Sequence, residues 1–195
     1  MNLANQLTMV RIFLAPVVVI FLLVGFDLGT VNIGGNTLTV SQFIAALIFI
    51  IAAITDGLDG YIARKNRIIT KLGKLLDPLV EKLLITAALI SLVQMHRLHA
   101  WVAIVIISRE FAVTGLRLIA AVDGRLISAS PLGKIKTIVQ ILAITSCMLN
   151  DFPFATSAMN NYTPASSIVT WLAVFVTIIS GLDYFYKNRN IVFNI

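Results

Sequence analysis

The stretch "ITDGLDGYIARKNRIITKLGKLLDPLVEKLLI", residues 54–85, decides the fold because it sets four carboxylates between two apolar runs. The acids are Asp56, Asp59, Asp77 and Glu81. The whole chain of 195 residues is 58% hydrophobic and only 12% charged, with a mean hydropathy of +0.94. A soluble domain of this length carries roughly twice that charge fraction. Six apolar stretches stand out, at about 10–26, 40–56, 79–95, 100–121, 135–150 and 165–182, each near the roughly 17–25 residues that cross a bilayer. Such runs satisfy their own backbone hydrogen bonds in lipid as helices. The expectation is an all-α integral membrane protein of six transmembrane helices, one domain over residues 1–195. The first stretch is long and no small-x-small cleavage site follows it before Asp27, so it reads as a membrane helix, not a signal peptide. Cys147 is the single cysteine, which leaves no intramolecular disulfide.

The net charge of +6 and pI near 9.8 are distributed unevenly. Arg64, Lys65, Arg67, Lys71 and Lys74 lie between the second and third stretches, and Arg125, Lys134 and Lys136 between the fourth and fifth. Lys187 and Arg189 follow the last. Connections 27–39 and 151–164 carry no cation, and 96–99 carries only Arg97. The positive-inside rule then places both termini in the cytoplasm. The basic excess reads as this topology signal plus attraction to anionic membrane lipid, and no nucleic acid is expected. Glycines and prolines make 27–39 and 151–164 read as external loops. Trp101 and Trp171 read as interfacial anchors, and Tyr184, Phe185 and Tyr186 as an aromatic belt. His96 and His99 read as surface residues, and Asp27, Asp123, Asp151 and Asp183 as solvated acids near span ends.

On a helix, Asp56 and Asp59 lie about 60° apart and Asp77 and Glu81 about 40° apart, so each pair shares a face. If the two faces meet, four negative charges crowd one volume and require protons or cations. Hard oxygen ligands select Mg²⁺, Mn²⁺ or Ca²⁺, and four carboxylates balance two divalent ions. The competing reading is four solvated acids paired with neighbouring Arg and Lys. Gly57, Gly60 and Gly73 fit a close approach of helix or ligand, or small-residue packing between membrane helices. Arg64 follows Gly60 by one turn and has the reach to grip a phosphate bidentately. Two divalent ions beside an arginine point to phosphoryl transfer.

The spacing Asp56-x-x-Asp59-Gly60-x-x-Ala63-Arg64, then Gly73, Asp77 and Glu81, resembles the signature of the CDP-alcohol phosphotransferases. Seven of its eight fixed positions match; the departure is Glu81, where the family has Asp. The segments "NLANQLTMVRIFLAPVVV" (2–19), "SREFAVTGLRLIAA" (108–121) and "ASPLGKIKTIVQ" (129–140) are similar to the branch that makes phosphatidylglycerophosphate. The resemblance implies transfer of a phosphatidyl group from CDP-diacylglycerol to sn-glycerol 3-phosphate with release of CMP. It implies a homodimer in the bacterial plasma membrane with its active site facing the cytoplasm. It assigns Asp56, Asp59, Asp77 and Glu81 to two Mg²⁺ or Mn²⁺ ions, and Glu81 also to general base. Gly60, Arg64, Thr70 and Gly73 fall to CDP-diacylglycerol binding, although Thr70 reads equally as a helix cap before Leu72.

Arg109 and Glu110 stand in the middle of the fourth stretch, where an unpaired charge costs at least about 2.5–3.5 kcal/mol. Arg109 and Arg117, about 80° apart on the helix, can face one cavity and hold an acceptor phosphate. Alternatively Arg109 pairs with a nearby acid such as Glu110. Lys134 and Lys136 lie about 200° apart, so at most one easily enters the same pocket; both stand as candidates. The competing functions are the same chemistry on another acceptor (inositol phosphate, serine or phosphatidylglycerol) and a small membrane transporter. The phosphate-binding cations disfavour serine, and no inverted repeat of the kind common in transporters is visible.

Overall fold

A computed structural model describes the backbone of residues 3–33, 36–66, 71–122, 131–150 and 165–189. Side chains are described for 10–32, 37–55, 80, 82–120, 131–150 and 166–189. The described residues form six helices: α1 Leu3–Leu23, α2 Val40–Asn66, α3 Lys71–Gln94, α4 Ala100–Val122, α5 Pro131–Met148 and α6 Ala165–Lys187. All six apolar stretches are helical, so the all-α expectation holds. The helices overrun the apolar windows: α2 continues through Asp56, Asp59 and Arg64 to Asn66, because helix formation needs no lipid contact. Among the described residues only Ser166–Lys187 is long and apolar enough to cross a membrane on composition alone. The apolar parts of α1, α2 and α3 are shorter, at Val10–Leu23, Val40–Thr55 and Lys82–Gln94. Charges at one end of α2 and α3, and within α4, interrupt their apolar windows.

Segment 27–39 is more ordered than a loop. Strands β1 (Thr30–Ile33) and β2 (Asn36–Thr39) pair antiparallel, with Thr30 opposite Thr39 and Val31 opposite Leu38. Leu38 is fully buried beneath the hairpin. The chain enters it from α1 through Gly25, whose φ of 62° takes the left-handed conformation that ends helices. It leaves through a capping box. The Gln42 amide N–H donates to Thr39 Oγ1 at 3.3 Å, and the Thr39 N–H donates to Gln42 Oε1 at 3.4 Å.

The core lies among α1, α2 and α3, extends to α4 and α5, and touches α6. Buried residues recur every three or four positions: Ala15, Val18 and Leu22 on α1; Ala45, Phe49 and Ala52 on α2; Ile85, Ala88, Leu89 and Leu92 on α3. This spacing puts them on one helical face each, and the alanines let backbones approach closely. Arg97 fastens the end remote from the acids. It donates to Met148 O at 3.0 Å and Cys147 O at 3.3 Å on α5, and to Gln42 Oε1 at 3.1 Å on α2. His96, with φ of 57°, closes α3: the Arg97 N–H donates to Leu92 O and the His96 N–H to Val93 O, each at 3.0 Å. Outward faces are apolar, with Phe13, Ile104, Phe175 and Leu182 all more than 60% exposed.

Candidate active site

The four signature acids stand within helices. Asp56 and Asp59 are on α2 with Gly60 and Arg64; Asp77 and Glu81 are on α3 with Gly73. The side chains of 56–79 and of Glu81 lie outside the described residues, as does the whole of Thr70, which immediately precedes α3. The helix bounds nevertheless carry geometry. Asn66 and Lys71 are five residues apart, so these ends are within about 18 Å of each other. From Asn66, Asp59 is seven residues back; from Lys71, Asp77 is six residues on. Asp56 and Glu81 are each ten residues from those same ends. At about 1.5 Å per residue, the inner acids sit roughly 9–10 Å and the outer acids roughly 15 Å along their helices. Counted along their own helices, the two pairs therefore stand at similar distances from the ends that flank residues 67–70. Among the described side chains, no cluster of three or more His, Cys, Asp or Glu offers another metal site.

Next along α3, Lys82 enters a buried charge cluster centred on Glu110. Glu110 is 4% exposed. Its Oε2 receives Lys82 Nζ at 2.6 Å, and its Oε1 receives Arg109 Nη1 at 3.2 Å and, from α5, the Lys136 ammonium. Three helices therefore converge on one carboxylate, and each contact is a charge-assisted hydrogen bond. Lys136 is buried, whereas Lys134 is exposed on the other side of α5. Packing thus brings Lys136 to Arg109 and leaves Lys134 away from the cluster. Arg109 makes the ion pair with Glu110 that the sequence leaves as an alternative.

Helix α6 forms the other wall. Arg109 Nη2 donates to Ser180 Oγ at 2.7 Å, and Arg117 Nε donates to the Tyr184 hydroxyl at 3.0 Å. The Arg117 guanidinium also lies 5.4 Å from the Tyr184 ring centroid, a cation–π contact. Gly181 lets the Arg109 stem lie against α6, since a Cβ there would come within 3.2 Å of Arg109 Cγ. Tyr184 is consequently no belt residue: it is 3% exposed and faces inward, while Tyr186 is 72% exposed. Helical spacing explains the split, because Tyr186 lies about 200° around the axis from Tyr184. Arg109 and Arg117 share the α6 wall, but each is held by its own hydroxyl.

Sequence reasoning misses Lys82, Ser180 and Tyr184 as parts of this cluster, and also Arg11, which is buried on α1. A lysine inside the third apolar stretch is the available signal for Lys82. Trp101 and Trp171 do stand together at the remote end, their ring centroids 5.1 Å apart. They line a cavity of about 600 Å³ with His96 and His99. Arg97 also lines that cavity, which is at the opposite end of α5 from Lys136 and so apart from the Glu110 cluster.

Comparison with known proteins identifies the family. The sequence model of the CDP-alcohol phosphatidyltransferase family matches residues 1–179. A Bacillus subtilis CDP-diacylglycerol–glycerol-3-phosphate 3-phosphatidyltransferase is 48% identical over 187 residues, covering 96% of this chain and 95% of that protein. Proteins of the same description from Rickettsia felis and Mycoplasma pneumoniae are 34% and 39% identical. These alignments cover 94% and 89% of this chain, and 93% and 78% of those proteins.

Proposed function

Because the chain belongs to the CDP-alcohol phosphatidyltransferase family, we propose that it transfers a phosphatidyl group from CDP-diacylglycerol to sn-glycerol 3-phosphate, giving phosphatidylglycerophosphate and CMP. The observation that carries the choice of acceptor is the 48% identity, over 96% of this chain, to a protein described as acting on glycerol 3-phosphate; the cation cluster around Glu110 fits a phosphate-bearing acceptor and disfavours serine. Arg109, Lys136 and Lys82 meet there, and Arg117 lies on the same α6 wall. An acceptor bearing a phosphate needs buried cations to replace its water, and arginine supplies them as a planar fork. Lys82 is the residue after Glu81, so α3 reaches both the acid group and this cluster.

The roles of the site residues follow from their chemistry. Asp56, Asp59, Asp77 and Glu81 would hold two Mg²⁺ or Mn²⁺ ions, which supply charge neutralisation on the donor pyrophosphate. Gly60, Arg64, Thr70 and Gly73 bind the CDP-diacylglycerol around that pyrophosphate. Arg109, Arg117 and Lys136 bind the acceptor phosphate and aim its C1 hydroxyl at the phosphatidyl phosphorus; exposed Lys134 attracts the anion from solvent. As that oxygen bonds to phosphorus, its proton passes to Glu81 and the bond to CMP breaks. A base must lie within about 2.6–3.2 Å of its proton, or act through one water. The protein is a six-span homodimer of the bacterial plasma membrane, with both termini and the site on the cytoplasmic side among anionic lipid. The apolar outward faces of α1, α4 and α6 support this placement.

The test is CMP release by detergent-purified enzyme offered glycerol 3-phosphate, inositol phosphate, serine or phosphatidylglycerol. Only glycerol 3-phosphate should turn over rapidly, and Asp59→Asn should abolish turnover in a folded protein. Equal turnover with inositol phosphate would overturn the acceptor, and a fully active Asp59→Asn protein would overturn the metal clamp. Arg109→Ala should raise the KM for glycerol 3-phosphate by about tenfold or more, the worth of a hydrogen bond to a charged group, and leave that for CDP-diacylglycerol nearly unchanged. An equal rise in both would make Arg109 a structural ion-pair partner only.

A further inference from the structure

We infer that α6 carries the positioning residues of the acceptor pocket: Ser180 and Tyr184 set the guanidinium planes of Arg109 and Arg117 toward the acceptor phosphate. This inference rests on the reading of those arginines as phosphate ligands. An arginine has five N–H donors in a fixed plane, so one anchored donor restricts the direction of all the others. In Arg109, Glu110 takes Nη1 and Ser180 takes Nη2. Its Nε is buried and has no hydrogen-bond partner among the described residues. It lies on the α6 side, where a Cβ on Gly181 would come within 4.0 Å of it, so the second N–H of each Nη is what this arginine offers an acceptor phosphate.

Arg117 is exposed and would otherwise sample many rotamers. The Tyr184 hydroxyl holds its Nε while the aromatic ring lies against its Cζ. With Nε engaged, the two Nη groups of Arg117 remain to offer a bidentate contact. Ser180 and Tyr184 are i and i+4 on α6, so one face presents both hydroxyls, and Ser180 is fully buried. Neither hydroxyl needs to touch substrate. Each removes rotamer freedom that the arginine would lose on binding, which is how preorganisation strengthens a contact.

The experiment compares Ser180→Ala, Tyr184→Phe and the double variant with Arg109→Ala and Arg117→Ala, measuring kcat and KM for each substrate. Tyr184→Phe keeps the ring beneath Arg117 and deletes only the hydroxyl, so it tests the idea even if Ser180→Ala fails to fold. Each single variant should raise the KM for glycerol 3-phosphate by about two- to tenfold, the worth of one hydrogen bond. The KM for CDP-diacylglycerol and the kcat should stay within about twofold, since neither hydroxyl contributes to donor binding in this account. A Tyr184→Phe enzyme with an unchanged acceptor KM, or with both KM values raised equally, would overturn the inference. If the arginine variants raise acceptor KM while the hydroxyl variants do not, positioning by α6 fails and the proposed function stands. If Arg109→Ala and Arg117→Ala leave acceptor KM unchanged, the acceptor pocket fails and this inference with it.

Discussion

Replacing Glu110 by Gln removes one charge and keeps the side chain's shape, so its effect can be reasoned from the contacts. Glu110 is 4% exposed and faces Lys82, Arg109 and Lys136, the last 3% exposed. An amide can accept from only one oxygen, and its NH₂ would point at one of the cations. Three like charges would then share a buried site without their counterion. Removing one partner of a buried ion pair costs about 3–5 kcal/mol, because the remaining charge stays desolvated. For a chain of this length, roughly 2–4 °C per kcal/mol converts that loss into a melting temperature lower by roughly 6–20 °C. Tryptophan fluorescence of Trp101 and Trp171 during heating in detergent would follow the transition. Adding Lys136→Met should recover part of the loss, with a coupling energy of about 0.5–3 kcal/mol between the two sites. The reasoning is refuted if Glu110→Gln melts with the parent protein and keeps its acceptor KM. Strict additivity in the double variant would separately refute the direct coupling of Glu110 with Lys136.

Two further outcomes are expected. Glu81→Gln keeps shape but loses the negative charge and most of the basicity, so kcat should fall by on the order of 10²–10⁴ and more Mg²⁺ or Mn²⁺ should be needed for turnover; a variant as fast as the parent at several pH values would remove Glu81 as the base. Arg97→Met should lower the melting temperature by roughly 3–12 °C for every charge-assisted bond whose worth, about 1.5–3 kcal/mol, is lost in full. Its kinetics should stay near those of the parent, because Arg97 ties α5 to α2 at the end remote from the acids.

Helix existence is legible because each apolar stretch is long, but helix length is not. An apolar window ends where charges begin, whereas α2 runs on through Asp56, Asp59 and Arg64. The glycines of 27–39 suggest a loop and obscure the hairpin, yet its signal is present. "TVNI" and "NTLT" flank Gly34-Gly35, a pattern that favours a tight β-turn. The Thr39-x-x-Gln42 capping box is equally readable. For Lys134 and Lys136, helical spacing says only that they diverge; the position of Glu110 on a neighbouring helix selects Lys136. Three aromatics in a row at a span end suit a membrane belt, and that pattern hides the different role of Tyr184. Only the packing of α4 on α6 distinguishes the inward one.

The junction of Glu81 and Lys82 has a mechanical meaning. Adjacent residues on a helix diverge by about 100°, so α3 presents a carboxylate position and an ammonium to different neighbours. The ammonium is fixed, at 2.6 Å from Glu110 on α4. Through Lys82, Glu110 therefore constrains the rotation of α3 about its axis, and with it the direction in which positions 77 and 81 project. The same carboxylate holds Arg109 and Lys136. In the proposed function, a single buried acid thus joins the acceptor cations to the helix that bears two signature acids. Burying a charge is costly, and a hydrophobic replacement would pack at lower cost. What the apolar alternative cannot provide is this common reference between the two halves of the site. Phosphoryl transfer, in which attacking and leaving oxygens must be roughly in line, depends on such a reference.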